Sequence, residues 1–156
     1  MNTDPSWPRA TSLLTSNSDA RVALIGIPAH ETSISATRAD TTPPAVREAM
    51  NRYSTYCATH DQELLSREVF DAGNVKAPDH PAGEARVHEK LAELSDKFVI
   101  AIGGDNSITY SVATGLWGNE IERAGLITFD AHHDLRDGIS NGSPVERLVQ
   151  AGLSGK

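Results

Sequence analysis

Cysteine is almost absent from this sequence. Cys57 is the single one among 156 residues, so an intrachain disulfide and a cysteine-based zinc site are both excluded. One thiol suits a reducing compartment, and a cytoplasmic location is expected. Aromatic residues are scarce, at 5%, so Val, Ile, Leu and Ala must fill most of the core. Basic residues are outnumbered: 14 Lys and Arg against 21 Asp and Glu leave a net charge of −7. Nucleic-acid binding needs a basic face to meet phosphates, so no nucleic-acid partner is expected. Long apolar runs are missing too. The longest, at 22–27 and 98–102, are far too short to cross a bilayer, and no membrane association is expected. The first nine residues hold two prolines and no apolar stretch, unlike a signal peptide.

What remains is an ordinary globular composition, 38% hydrophobic and 22% charged, in a chain long enough to bury a core. Residues 1–20 are polar and read as a loose lead-in; residues 21–156 read as one domain, without repeats or a linker. Arg21-Val-Ala-Leu-Ile-Gly-Ile-Pro28 is a buried parallel strand by pattern. Pro43-Pro44 opens a helix to about Tyr53, with Val46, Met50 and Tyr53 on one face. A second strand is expected over 67–73, and an amphipathic helix over 83–97 with Val87, Leu91 and Leu94 in one stripe. A third buried strand, 98–102, runs into Gly103-Gly-Asp-Asn-Ser107 and a helix to about Trp117, capped by Asn106 or Ser107. A fourth strand is expected over 125–130, and a last helix from Pro144 to Gln150, ended by Gly152. Alternating strands and helices predict a mainly parallel sheet with crossover helices.

In such sheets ligands bind beyond the carboxyl ends of the strands. Two polar segments begin at expected strand ends: the glycine turn at 103–107 and Asp130-Ala-His-His-Asp134. If the chain stays extended, Asp130, His132 and Asp134 point to one side and His133 to the other. Two carboxylates and an imidazole on one spot suit a divalent Mn, Fe, Co, Ni or Zn ion. A carboxylate bridging two ions would leave a shared water that loses its proton near neutral pH. The same five residues also read as a solvated polar loop. Gly103-Gly104 is not the G-x-G-x-x-G fingerprint, so a dinucleotide site is poorly supported. Asp105 suits either turn amides or the surroundings of a metal site. His30, His60, His80 and His88 have no patterned partners and read as surface residues. Cys57 reads as a small core residue.

Taken in order, these segments resemble the ureohydrolases: arginase, agmatinase, formimidoylglutamase and relatives. Gly103-Gly-Asp-Asn-Ser107 is similar to the family's G-G-D-H-S, and Asp130-Ala-His-His-Asp134 to its D-A-H-x-D. Asp71-Ala-Gly-Asn-Val75 resembles D-x-G-D-V, and Asn141-Gly-Ser-Pro144 resembles H-G-T-P. The resemblance implies a three-layer α/β/α fold, two Mn²⁺ ions, a small amidine or guanidino substrate and a homo-oligomer. Carried over by position, Asp130 bridges both ions, His132 binds one and Asp134 the other. Asn106 stands where the family has a metal-binding histidine, and it ligates only through its carbonyl oxygen. Asn141 stands at the histidine that assists proton transfer or substrate binding, and Asn cannot shuttle protons near pH 7. The Asn variant at 106 resembles the formimidoylglutamase-like branch, whose reaction belongs to histidine catabolism. A metallophosphoesterase would place D-x-H before G-D and add a later G-N-H; here the order is reversed and G-N-H is absent. The family's later S-x-D-x-D element has no counterpart after Ser143. The expected fold is therefore an incomplete one, belonging to part of an enzyme or to a binding module with a degenerate site.

Overall fold

The computed structural model describes residues 6–64 and 68–154; the first five residues of the expected lead-in, and Arg67, lie outside them. Six strands and four helices follow along the described chain: β1 (Leu14–Thr15), β2 (Val22–Ile27), α1 (Thr42–Met50), β3 (Tyr56–Cys57), β4 (Gln62–Glu63), β5 (Val69–Asn74), α2 (His80–Ala92), β6 (Phe98–Gly103), α3 (Ile108–Trp117) and α4 (Pro144–Gln150). Four strands form a sheet in the order β1-β5-β2-β6, every pair parallel. β3 and β4 form a small antiparallel ribbon. No described helix is long and apolar enough to cross a membrane.

The sheet is built as its pattern requires. Ala23, Ile25 and Ile27 point to one face, where they are fully buried against Val87, Leu91 and Leu94. Alternation sends Val22, Leu24 and Gly26 to the other face, where α1 crosses β2 and β6. A Cβ on Gly26 would lie 2.9 Å from Pro43 Cβ and 1.9 Å from Asn74 Oδ1, so only glycine admits this close approach. The result is a helix layer on each face of a parallel sheet, as expected. A second core joins Ala113, Ile121, Leu148 and Leu153, with Tyr110, Trp117, Ala124 and Leu126 at its margin.

Arg47 ties α1 to the sheet. Its Nε and Nη2 donate to the two oxygens of Asp71 at 2.9 and 2.7 Å, and its Nη1 donates to Asn74 Oδ1 at 2.8 Å. This bidentate hydrogen bonding holds the Asp71 carboxyl below the usual carboxylate range. A second fork joins the helices: Arg147 donates to Glu84 at 2.6 and 2.9 Å and lies 3.5 Å over the Tyr110 ring.

Several expectations are corrected. The lead-in is not loose throughout, because β1 pairs with β5; a two-residue strand is too short to leave a periodic signal. α1 ends at Met50, and Val46 and Tyr53 are exposed, so the expected apolar face is not a buried one. The helix expected over 83–97 runs earlier, from His80, while Leu94 packs into the core from just beyond its end. Cys57 is half-buried at a ribbon rather than in the core. His88 is half-buried against Thr114 Oγ1 at 2.9 Å, and His30 Nδ1 is buried 3.9 Å from Asp79, so neither is a plain surface residue.

The largest correction concerns the β6 edge of the sheet. Residues 124–130 form no strand. Ile127 is 84% and Phe129 100% exposed. β6 is only half-buried: register with β2 puts Phe98 and Ile100 on the α1 face, and they are 71% and 41% exposed. An apolar, β-prone sequence becomes a strand only when a neighbouring strand accepts its hydrogen bonds. The described chain supplies none beyond β6.

Candidate functional site

The glycine turn after β6 is tightly anchored. Gly104 N donates to Ile27 O at 2.9 Å and Asp105 N to Ala29 O at 3.0 Å. A Cβ on Gly104 would fall 1.9 Å from Ala29 O, so glycine is obligatory for this approach. Asp105 accepts from Ser107 N at 3.0 Å, from Ser107 Oγ at 2.6 Å and from Ser33 Oγ. Of its two sequence readings, the turn anchor is the one observed. The adjoining loop is bound in turn to Asn141, whose Oδ1 accepts from Ile34 N at 3.1 Å.

Asn106, at the start of α3, reaches the second motif. Its Nδ2 donates to Asp134 Oδ2, and its Oδ1 accepts from Thr109 Oγ1 at 2.8 Å. Asp134 is buried, has φ of 54° and accepts from Glu146 N at 3.2 Å through its backbone carbonyl. Two expected metal ligands from distant parts of the chain therefore meet. Asp130 and His132 stand apart from them as a separate exposed pair: His132 N and Nδ1 lie 2.8 and 3.2 Å from Asp130 Oδ1. The Asp130 carboxyl is held below its ordinary range, chiefly by the His132 backbone N–H.

The expected convergence of Asp130, His132 and Asp134 is thus not present. Alternation puts i, i+2 and i+4 on one side only while the backbone is extended; here the chain bends at Ala131–His132, with His132 N turned back onto Asp130, and Asp134 is left-handed. Among the described residues no group of three His, Cys, Asp or Glu side chains could hold a metal ion. Asn106 adds a second obstacle. An amide ligates through oxygen, and here the oxygen faces Thr109 while the nitrogen, which cannot ligate, faces Asp134. In this arrangement the residues do not fit the dinuclear centre that the motifs imply.

An open cavity of about 620 Å³ lies over this region, lined among others by Ile34, His132, His133, Asp134, Arg136 and Asn141. It brings three of the five expected site residues to one wall. Arg136 was not singled out by pattern. Its signal was its place two residues beyond the D-x-H-x-D run, where a guanidinium supplies a fixed positive charge to an otherwise acidic site.

The arginase family model matches residues 20–156. A formimidoylglutamase from Bacillus subtilis is 33% identical over 137 residues, covering 81% of this chain and 43% of that protein. An N(1)-aminopropylagmatine ureohydrolase from Synechocystis is 33% identical over 158 residues, covering 90% of this chain and 50% of that protein. Among solved structures, the Bacillus subtilis formimidoylglutamase superposes with a TM-score of 0.80 at 27% identity, over 97% of this chain and 51% of that one. A Trypanosoma cruzi formiminoglutamase solved with Mn²⁺ gives 0.85 at 25% identity, over 96% and 55%. The chain spans about half the length of these relatives. With the motif order, the parallel sheet and the family match all in agreement, the chain belongs to the arginase family.

Proposed function

We propose that this protein serves the hydrolysis of a linear amidine, with formimidoylglutamate as the first substrate and guanidino compounds such as agmatine as the second. The observation that carries this reading is that His132, Asp134 and Asn141, from two motif segments, line one cavity together with Arg136. The similarity to formimidoylglutamases supports it. A glutamate-derived substrate brings carboxylates, and the Arg136 guanidinium is the group on this wall that suits them. Asn141, its carbonyl oxygen committed to Ile34 N, is proposed to orient substrate through its amide N–H₂.

Asp130, His132, Asp134 and Asn106 are proposed as metal-facing residues only in a form in which they converge, with Mn²⁺ as the ion. The Trypanosoma cruzi relative solved with Mn²⁺ supports that choice. A cytoplasmic homo-oligomer acting in histidine catabolism completes the proposal. The test is release of formamide, against release of urea, from formimidoylglutamate and agmatine with added Mn²⁺. Formamide release that an Arg136→Met substitution weakens through KM supports the reading, while no release of either product rejects it.

The Asn106–Asp134 contact favours a second reading, a binding module that does not turn over substrate. A melting temperature that rises with Mn²⁺ in the native chain, and not in Asp134→Ala, would argue against that module.

A further inference from the structure

The turn at 140–144 carries a reactive pair in its own backbone. Asn141 is the one asparagine of the sequence that is followed by glycine. In such a pair the glycine nitrogen can attack the asparagine side-chain carbon, because no Cβ on glycine obstructs the approach. Three contacts at this turn favour that attack. Ile34 N donates to Asn141 Oδ1 at 3.1 Å. It draws electron density from Asn141 Cγ and stabilises the oxygen as it turns negative. Gly142 N donates to Ser140 Oγ at 3.2 Å, so the proton that must leave this nitrogen has an acceptor. Ser140 Oγ lies 2.7 Å from Ser143 Oγ, a second hydroxyl that can carry the proton onward. Asn141 and Gly142 also line the open cavity of about 620 Å³, which gives water a way in.

The neighbouring candidates lack this combination. Asn106 precedes Ser107, and its side chain is engaged by Asp134 and Thr109. Asn74 precedes Val75, and its Oδ1 accepts from Arg47 Nη1 at 2.8 Å. A side chain on the following residue crowds the attacking nitrogen, a β-branched one most of all. Asp137-Gly138 has the glycine, but a carboxylate is a poorer electrophile than an amide and releases no ammonia.

We propose that Asn141 is a site of self-modification, converted through attack by Gly142 N into aspartate and isoaspartate faster in the folded chain than in the unfolded one. The bond from Gly142 N to Asn141 Cγ forms and the Cγ–Nδ2 bond breaks. The Gly142 proton passes to Ser140, the departing amine takes up a proton, and ammonia leaves. Water then opens the five-membered imide. Opening at Cγ gives aspartate, and opening at the main-chain carbonyl gives isoaspartate. Either product replaces an amide donor by a carboxylate on a wall that already carries Asp134 and Arg136. Isoaspartate also lengthens the main chain by one methylene just before Gly142, whose O accepts from Arg136 N at 3.0 Å. Conversion therefore ages the cavity, removing the Asn141 N–H₂ and shifting the anchor of Arg136. The modification rests on the turn and not on the amidine reading, so its test reads mass rather than turnover.

The test is incubation of the purified full chain at mildly alkaline pH, folded and in urea, followed by peptide mapping and enzymatic detection of isoaspartate. A one-dalton gain and an isoaspartate signal are expected at residue 141, with a folded rate at least about fivefold the urea rate. Ser140→Ala should slow the folded reaction at least about threefold and leave the urea rate unchanged. A folded rate equal to or below the urea rate overturns the proposal, as does a folded rate that Ser140→Ala does not change. Conversion led by another asparagine overturns it, and so does isoaspartate confined to Asp137 without a gain in mass. Should Ser140→Ala fail to fold, the comparison of folded and urea rates in the native sequence still decides.

Discussion

The turn at 103–107 is held by Ile27, Ala29 and Ser33, whereas the stretch at 130–134 is held at Asp134 and lies exposed before it. Both carry family-like motifs, and both follow an apolar sequence with strand propensity. They differ in what stands beside that sequence. β6 has β2 as a parallel neighbour over six residues, so its end is placed to within a hydrogen bond. Residues 124–130 have no paired neighbour, so the carboxylates and imidazole that follow are not aimed. A motif at a strand end acquires geometry from the strand's partners. Residue identity supplies only the chemistry.

The contrast can be broken most severely in the well-held half. Leu91→Ala empties a fully buried position between α2 and the sheet and should cost about 4 kcal/mol in urea unfolding. A loss under about 1 kcal/mol would mean that this core relaxes as freely as the exposed side. Gly104→Ala forces a methyl onto the Ala29 carbonyl. Unfolding should show a loss of about 3 kcal/mol, and loosening of the 29–34 loop should appear as faster amide exchange there.

Arg47→Met tests the anchoring of α1 and its pH dependence together. Loss of a partly buried fork should cost about 2 kcal/mol near pH 7. Because Asp71 titrates below its ordinary value in the folded protein, its contribution is present above the unfolded carboxylate value of about 3.9. It is lost as pH falls through the lower, folded value. Stability of the native chain should therefore drop on acidification below about pH 4, and the substituted chain should lose part of that slope. Equal slopes would remove Asp71 from the account.

The smallest effect belongs to the loose half. Phe129→Asp replaces a wholly exposed side chain and should change stability by no more than about 0.5 kcal/mol in the chain alone. A larger loss would show that the segment is already paired in solution, and the contrast with 103–107 would disappear.

Much of this organisation was legible from residue order. The burial of Ala23, Ile25 and Ile27, the stripe of Val87, Leu91 and Leu94, and the glycine turn all follow from local pattern. Pairings across long separations were not legible. β1 against β5, Arg47 against Asp71 and Asn106 against Asp134 each join residues that no local period relates. The exposure of Phe98 was hidden for the same reason: an apolar residue is covered only if another element reaches it.

By itself, then, the sequence determined the family motifs, the parallel α/β architecture and the chemical types at the site, because these depend on residue identity and short-range periodicity. Tertiary structure alone decided that Asp134 turns to Asn106 while Asp130 and His132 stay apart. It also decided that 124–130 remains without a ladder, because convergence and strand pairing depend on neighbours that local sequence does not specify.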